Sequence, residues 1–387
     1  MKRLEGGICA IPGVQASGAR QGRYGLALIV ASGSATGMFT TNKIRAAPLE
    51  VTAQNLKEGR LNGVIANSGC ANAYTGQRGR QDAAKMAQML AEFLKTEPGR
   101  IGVASTGVIG RPIDMEKIQA LFQEAKGRLR SSSDASQEAA RAIMTTDTRV
   151  KEIAVEHEGL RVGGIVKGAG MIEPHMATML CFIYTDADLQ LAELKESLQQ
   201  AVEDSFNMLT VDGDTSTNDI VLLTATGKKK CHIEDFKEAL SHICIELARM
   251  MARDGEGATK YFETIISGAA SIEDARVAAH AVARSSLVKT AIYGADPNWG
   301  RIVAAVGRSG AQVDPDSITL SLEGSARKVT LVEQGKIIDG VLDQAKEIMK
   351  GDSILIYVDL GQGDGIARSF GCDLTHGYVD INANYTT

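Results

Sequence analysis

Residues 167–182 read KGAGMIEPHMATMLCF, and the position of one threonine within them decides the reading of the chain. The run Met179-Leu180-Cys181-Phe182-Ile183-Tyr184 is apolar without interruption, bounded upstream by Pro174 and downstream by Asp186 and Asp188. A short apolar run between such breakers predicts a strand buried on both faces. Thr178 therefore stands at the mouth of a core strand, behind a glycine-rich approach. Threonine is also an ordinary strand residue, so its spacing alone does not separate a structural from a chemical role.

Outward from this strand, helical and extended patterns alternate. Segments 22–32, 47–53, 63–69 and 101–105 read as strands, and so do those around 153–155 and 161–165. Met86, Met89, Leu90, Phe93 and Leu94 repeat at helical spacing, as do Ile118, Leu121, Phe122 and Ala125. SSSDASQEAARAIM at 131–144 predicts a short helix capped by Asp134 and Gln137. Further helices follow at 191–206, 236–251 and 272–284, with strands at 258–267, 318–322 and 354–360. The alternation predicts an α/β (α+β) layered sandwich, its sheets flanked by helices.

The composition excludes several function classes. The 387 residues are 44% hydrophobic and 23% charged, an ordinary globular balance with no low-complexity stretch. A net charge of -5 gives no electrostatic footprint for nucleic acid, and GKKKC at 227–231 is too short to supply one. No apolar stretch is long enough for a membrane span, and MKRLEGGICAIPG lacks a signal-peptide core, so a soluble cytoplasmic protein is expected. The six cysteines form no CxxC pair and read as buried free thiols; the histidines show no metal-ligand spacing, so no metal site is expected. GQGDG at 361–365 lacks the rest of a phosphate-loop pattern. VDGDTSTND at 211–219 has no glutamate at EF-hand distance and reads as a polar loop beside a site. His175 reads as incidental.

A threonine hydroxyl becomes a competent nucleophile when a base takes its proton, and an N-terminal threonine carries that base as its own α-amine. That amine titrates at about 7.7–8.0, so part of it is free base at neutral pH. Thr178 is internal, and this chemistry requires cleavage of Ala177–Thr178. The hydroxyl would attack the Ala177 carbonyl, shift the acyl chain from nitrogen to oxygen, and leave an ester for water.

KGAGMIEPHMATML resembles the signature of the ornithine acetyltransferase family, the glutamate N-acetyltransferases of arginine biosynthesis. ATGMFTTNKIRAAP (35–48), ANSGCANA (66–73), TTDT (145–148), TVDGDTSTND (210–219), GEGATK (255–260), YGADPNWGRI (293–302) and FGCDLTHGYVDINANYTT (370–387) resemble the same family in the same order. The resemblance implies self-cleavage into residues 1–177 and 178–387, two chains sharing one core and pairing as an α2β2 heterotetramer. It implies a ping-pong transfer of acetyl from N-acetylornithine to glutamate, with Thr178 carrying the acetyl group. Thr106 and Gly107 match the oxyanion pair, while Thr145, Lys167, Glu256, Asn382 and Thr387 match substrate contacts. Lys167 is expected to meet a carboxylate and Glu256 an ammonium; of Thr145 and Thr146 the first is preferred. No cofactor is implied, and acetyl-CoA stays open as a second acetyl donor. Ala169, Gln362 and Phe370 depart from residues common in the family, which touches fine specificity only. Two rival readings stand beside it: an amidohydrolase or aminopeptidase of the same fold, with water as acceptor, and an unprocessed scaffold.

Overall fold

The computed structural model describes residues 1–173 and 179–384. The first sheet contains β1 (Lys2–Leu4), β2 (Gln15–Gln21), β3 (Tyr24–Phe39), β4 (Arg60–Ser68), β5 (Ile101–Ser105), β6 (Lys151–His157), β7 (Leu160–Lys167) and β8 (Leu180–Ala187). It is completed by β10 (Ile220–Lys229), in the order β1-β6-β7-β8-β10-β3-β4-β5 with β2 paired to β3. The second sheet runs β14-β13-β12-β15-β11-β16-β9. Its strands are β9 (Leu209–Thr210), β11 (Tyr261–Ala269), β12 (Thr319–Glu323), β13 (Lys328–Glu333), β14 (Lys336–Ile337), β15 (Ser353–Asp359) and β16 (Gly365–Cys372).

The expected buried strand is β8, at the middle of the first sheet. It runs antiparallel to β7, with Leu180 opposite Lys167, and parallel to β10, with Leu180 opposite Ile220. Cys181 and Ile183 face one core, whereas Leu180, Phe182 and Tyr184 face the other, which is why the run carries no polar alternation. One core receives α5 (Leu191–Glu203) and α6 (Ile233–Arg253), and continues into the second sheet with α7 (Ile272–Ala283). The opposite face is covered by α4 (Ser133–Ile143), and a third cluster packs α2 (Gly76–Leu94) and α3 (Met115–Lys126) over β4 and β5. The layered α/β expectation is met. Strands from both sides of Ala177–Thr178 share the first sheet, because β7 pairs with β8 and β3 with β10.

Some local expectations fail. Residues 47–53, read as a strand, belong to helix α1 (Ala47–Asn55). Pro48 suits its first turn, and the Thr52 hydroxyl donates to the Val103 carbonyl at 2.6 Å, a tertiary contact that outweighs the β-branched bias of Val51 and Thr52. The cap of α4 is Ser132, which accepts Ala135 N–H, and Asp134 lies within the first turn. Helices α8 (Ser286–Tyr293), α9 (Trp299–Gly307), α10 (Leu342–Met349) and α11 (His376–Asn384) were not expected; the first three are short, and α11 buries none of its residues. The cysteines are free thiols, with Cys70, Cys181, Cys244 and Cys372 buried.

Candidate active site

Thr106, Gly107, Thr145, Lys167, Glu256 and Asn382, spread over 277 positions of sequence, line one cavity of about 90 Å³. Ala177 and Thr178, the predicted cleavage pair, and Thr387 lie outside the described residues. The chain enters that segment from Lys167 at the end of β7 and leaves it at Met179, just before β8. A larger cavity, about 550 Å³, lies along α7 and holds none of the predicted residues. The smaller one carries the convergent chemistry.

Lys167 is 2% exposed, and a buried ammonium requires partners. Its Nζ donates to the Thr145 hydroxyl at 2.9 Å and the Thr106 hydroxyl at 3.3 Å, and stands 3.9 Å from Asp147 Oδ2. Thr145 and Thr146 both line the cavity, and it is the Thr145 hydroxyl that meets Lys167. Burial pushes the Lys167 pKa down, against the pull of Asp147.

Asp147 joins a second buried lysine to the first. Its Oδ1 accepts Lys151 Nζ at 2.7 Å and Gly168 N–H at 2.7 Å, and its Oδ2 accepts Thr145 N–H at 3.1 Å. Lys151 Nζ also donates to Asp254 at 2.5 Å, and Thr148 caps the same carboxylate through its N–H and hydroxyl. Burial alone would raise the Asp147 pKa, but Lys167 and Lys151 overcome it and hold the carboxyl well below the usual range. The sequence reading missed this ladder. One signal was present: Lys151, Ile153 and Val155 share a face of β6, which places a lysine on a buried stripe.

The turn after β5 is shaped by close approach. Gly107 has φ +129°, and a Cβ there would stand 2.4 Å from the Gly69 carbonyl carbon and 2.6 Å from Cys70 N. No other residue fits without moving backbone. Thr106 N–H is taken by the Asn67 carbonyl at 3.0 Å, so the group Thr106 can offer an oxyanion is its hydroxyl. Asn218 fixes this region by donating to the carbonyls of Ala71 (2.6 Å) and Ser105 (2.8 Å).

The rim comes from the other end of the chain. Asn382 on α11 donates to Glu256 Oε2 at 2.8 Å, and Glu256 N–H donates to the Ala169 carbonyl at 2.8 Å. The Thr375 hydroxyl donates to the Gly257 carbonyl at 2.6 Å, docking the start of α11. The cavity thus offers a cation and hydroxyls at its floor and a carboxylate with an amide at its rim. That arrangement suits a small molecule carrying both charges. No group of His, Cys, Asp and Glu fit to hold a metal is found among the described residues. No helix among them is long and apolar enough to cross a membrane.

Comparison with known proteins agrees with the resemblance read in the motifs. The chain is 50% identical over 397 aligned positions to a glutamate N-acetyltransferase of Methanothermobacter thermautotrophicus, covering 100% of this chain and 99% of the relative. It is 49% identical to the arginine biosynthesis bifunctional protein ArgJ of Archaeoglobus fulgidus, covering 98% of this chain and 100% of the relative. The crystal structure of the bifunctional protein argJ from Bacillus halodurans superposes with a TM-score of 0.50 at 39% identity, covering 53% of this chain and 98% of that one. With the ArgJ family model matching residues 12–387 as well, the chain belongs to the ArgJ family.

Proposed function

We propose that this protein is a glutamate N-acetyltransferase of arginine biosynthesis, moving acetyl from N2-acetylornithine to glutamate through an acetyl ester on Thr178. The observation that carries the reading is the grouping of Lys167, Thr145, Thr106 and Gly107 opposite Glu256 and Asn382, around one cavity. Gly170 and Met171, on the stretch of chain that leads toward residues 174–178, line the same cavity.

In maturation the Thr178 hydroxyl oxygen bonds to the Ala177 carbonyl carbon, the C–N bond breaks, and the released amine takes the proton. Water then hydrolyses the ester, leaving an Ala177 carboxylate and an N-terminal Thr178. In the first half-reaction the free α-amine accepts the hydroxyl proton as the oxygen attacks the acetyl carbonyl. The Thr106 hydroxyl and Gly107 N–H are the donors assigned to the developing oxyanion. Ornithine leaves with its amine reprotonated, and the glutamate amine attacks the acetyl-threonine to release N-acetylglutamate. Lys167 is assigned the α-carboxylate of either amino acid and Glu256 the side-chain ammonium of ornithine.

The two mature chains, 1–177 and 178–387, would stay together through the β7–β8 and β3–β10 pairings and assemble as α2β2. In support, the Bacillus halodurans chain corresponds to slightly over half of this one, as residues 178–387 do. Acetyl-CoA can enter the same ping-pong scheme as a second donor, and the cytoplasm is assigned as the site of action.

The test is intact mass under denaturing conditions beside Thr178→Ala, followed by acetyl transfer with each acceptor. The expected result, in the wild type only, is two fragments, with N-acetylglutamate formation and ornithine release beyond one equivalent both dependent on glutamate. Acetate released without glutamate would make the protein an amidohydrolase, and a chain that stays whole and inactive would overturn the nucleophile assignment.

A further inference from the structure

The polar loop at 210–219 grips the chain on both sides of residues 174–178. Upstream, Asp212 accepts Met171 N–H on Oδ2 at 2.6 Å and Ile172 N–H on Oδ1 at 2.8 Å. Val211 N–H donates to the Ile172 carbonyl at 2.9 Å, and the Thr210 hydroxyl to Glu173 Oε2 at 2.7 Å. Downstream, Asp219 Oδ1 accepts Met179 N–H at 3.0 Å, while Ile220 N–H donates to the Met179 carbonyl at 3.0 Å. One loop therefore holds the last described residues before the segment and the first one after it.

The two grips differ in chemistry. Met171 has φ +56°, a left-handed conformation that is unfavourable for a residue with a Cβ. The paired bonds from Asp212 offset that cost. Asp212 uses both carboxylate oxygens as acceptors toward backbone N–H groups, and Oδ2 also accepts the Tyr378 hydroxyl at 3.2 Å. Asp219 is fully buried, accepts Met179 N–H, on the residue bonded to Thr178, and lies beside the hydroxyls of Thr40 and Ser216.

We propose that Asp212 and Asp219 are positioning residues that fix the two anchor points between which the Ala177–Thr178 bond is presented. This rests on the self-cleavage reading above. Asp212 acts in maturation by holding the left-handed turn at Met171. Asp219 acts in maturation and again in turnover, because Met179 stays joined to Thr178 after cleavage. Both are assigned to positioning, through the backbone N–H groups of Met171, Ile172 and Met179.

The chemistry of the acceptors makes the proposal testable with full-length protein, following cleavage by intact mass from the moment of synthesis. Asp212→Asn turns one acceptor into a donor facing an N–H, and is expected to slow cleavage by about tenfold or more. Adding Met171→Gly, which adopts the turn without the clamp, is expected to restore the rate to within about threefold of wild type. Asp219→Asn keeps an acceptor for Met179 and should cleave within about threefold of wild type, whereas Asp219→Leu should be slowed about tenfold. The matured fraction of Asp219→Leu should show a lowered kcat with KM unchanged. If Asp212→Asn cleaves at the wild-type rate, if Met171→Gly fails to rescue it, or if the two Asp219 variants behave alike, the positioning roles are overturned. A wild type that stays whole overturns the cleavage reading itself, and this proposal with it.

Discussion

Lys167 and Asn382 reach one cavity from opposite sides, and their surroundings differ. Below Lys167 every charged group has an opposite neighbour: Asp147 lies between Lys167 and Lys151, and Lys151 between Asp147 and Asp254, with the side chains of all four at most 3% exposed. Around Asn382 the helix buries none of its residues and touches the cavity through one amide on Glu256. Buried charges tolerate only one geometry, because an unpaired member cannot be solvated. Surface contacts rearrange at little cost. The floor is therefore expected to couple folding to chemistry, and the rim to govern affinity alone.

Lys151→Met tests the floor most severely, since it strands Asp147 and Asp254 without their shared cation. The expected loss is about 3–5 kcal/mol of stability, read as a lower urea midpoint. A midpoint at the wild-type value would erase the contrast between floor and rim. Next in size is Thr106→Val, which removes the hydroxyl assigned to the oxyanion. A fall in kcat of about 10²–10³, with KM changed far less, is expected from steady-state kinetics on matured enzyme.

The pH dependence of stability sharpens the comparison. Asp147 is held below its unfolded pKa of about 3.9, so its contribution is complete above that value and is lost as pH falls through the folded pKa. Urea midpoints measured downward from pH 5 should therefore drop in the wild type and drop less in Asp147→Asn. Smallest of all is Asn382→Ala, expected to raise the KM for N-acetylornithine about fivefold while leaving the urea midpoint unchanged. A large loss of stability there would mean that α11 belongs to the folded core.

The parts of the fold legible in the sequence were those with a strong local period. The β8 run, α2, α6 and α7 carry their apolar faces in their own residues, and each forms close to its expected bounds. Segment 47–55 carries no such period, and its helix depends on contacts with β5 and α2, so local propensity misread it. The six described site residues came from motifs and converge on one cavity. The groups that hold them did not come from motifs. Asp254 meets Lys151 across 103 positions, and Asn218 reaches Ala71 across 147.

By itself the sequence determined the layered α/β class, the buried strand after Thr178 and the set of polar residues that make acyl transfer chemically reasonable. Those are properties of composition, spacing and motif. Only the tertiary structure decided that Asp147 bridges two buried lysines, that Thr106 offers its hydroxyl because its N–H is spent on Asn67, and that one loop holds the chain on both sides of residues 174–178. Each depends on which distant group satisfies a buried donor or acceptor, and that pairing is set by packing rather than by neighbours along the chain.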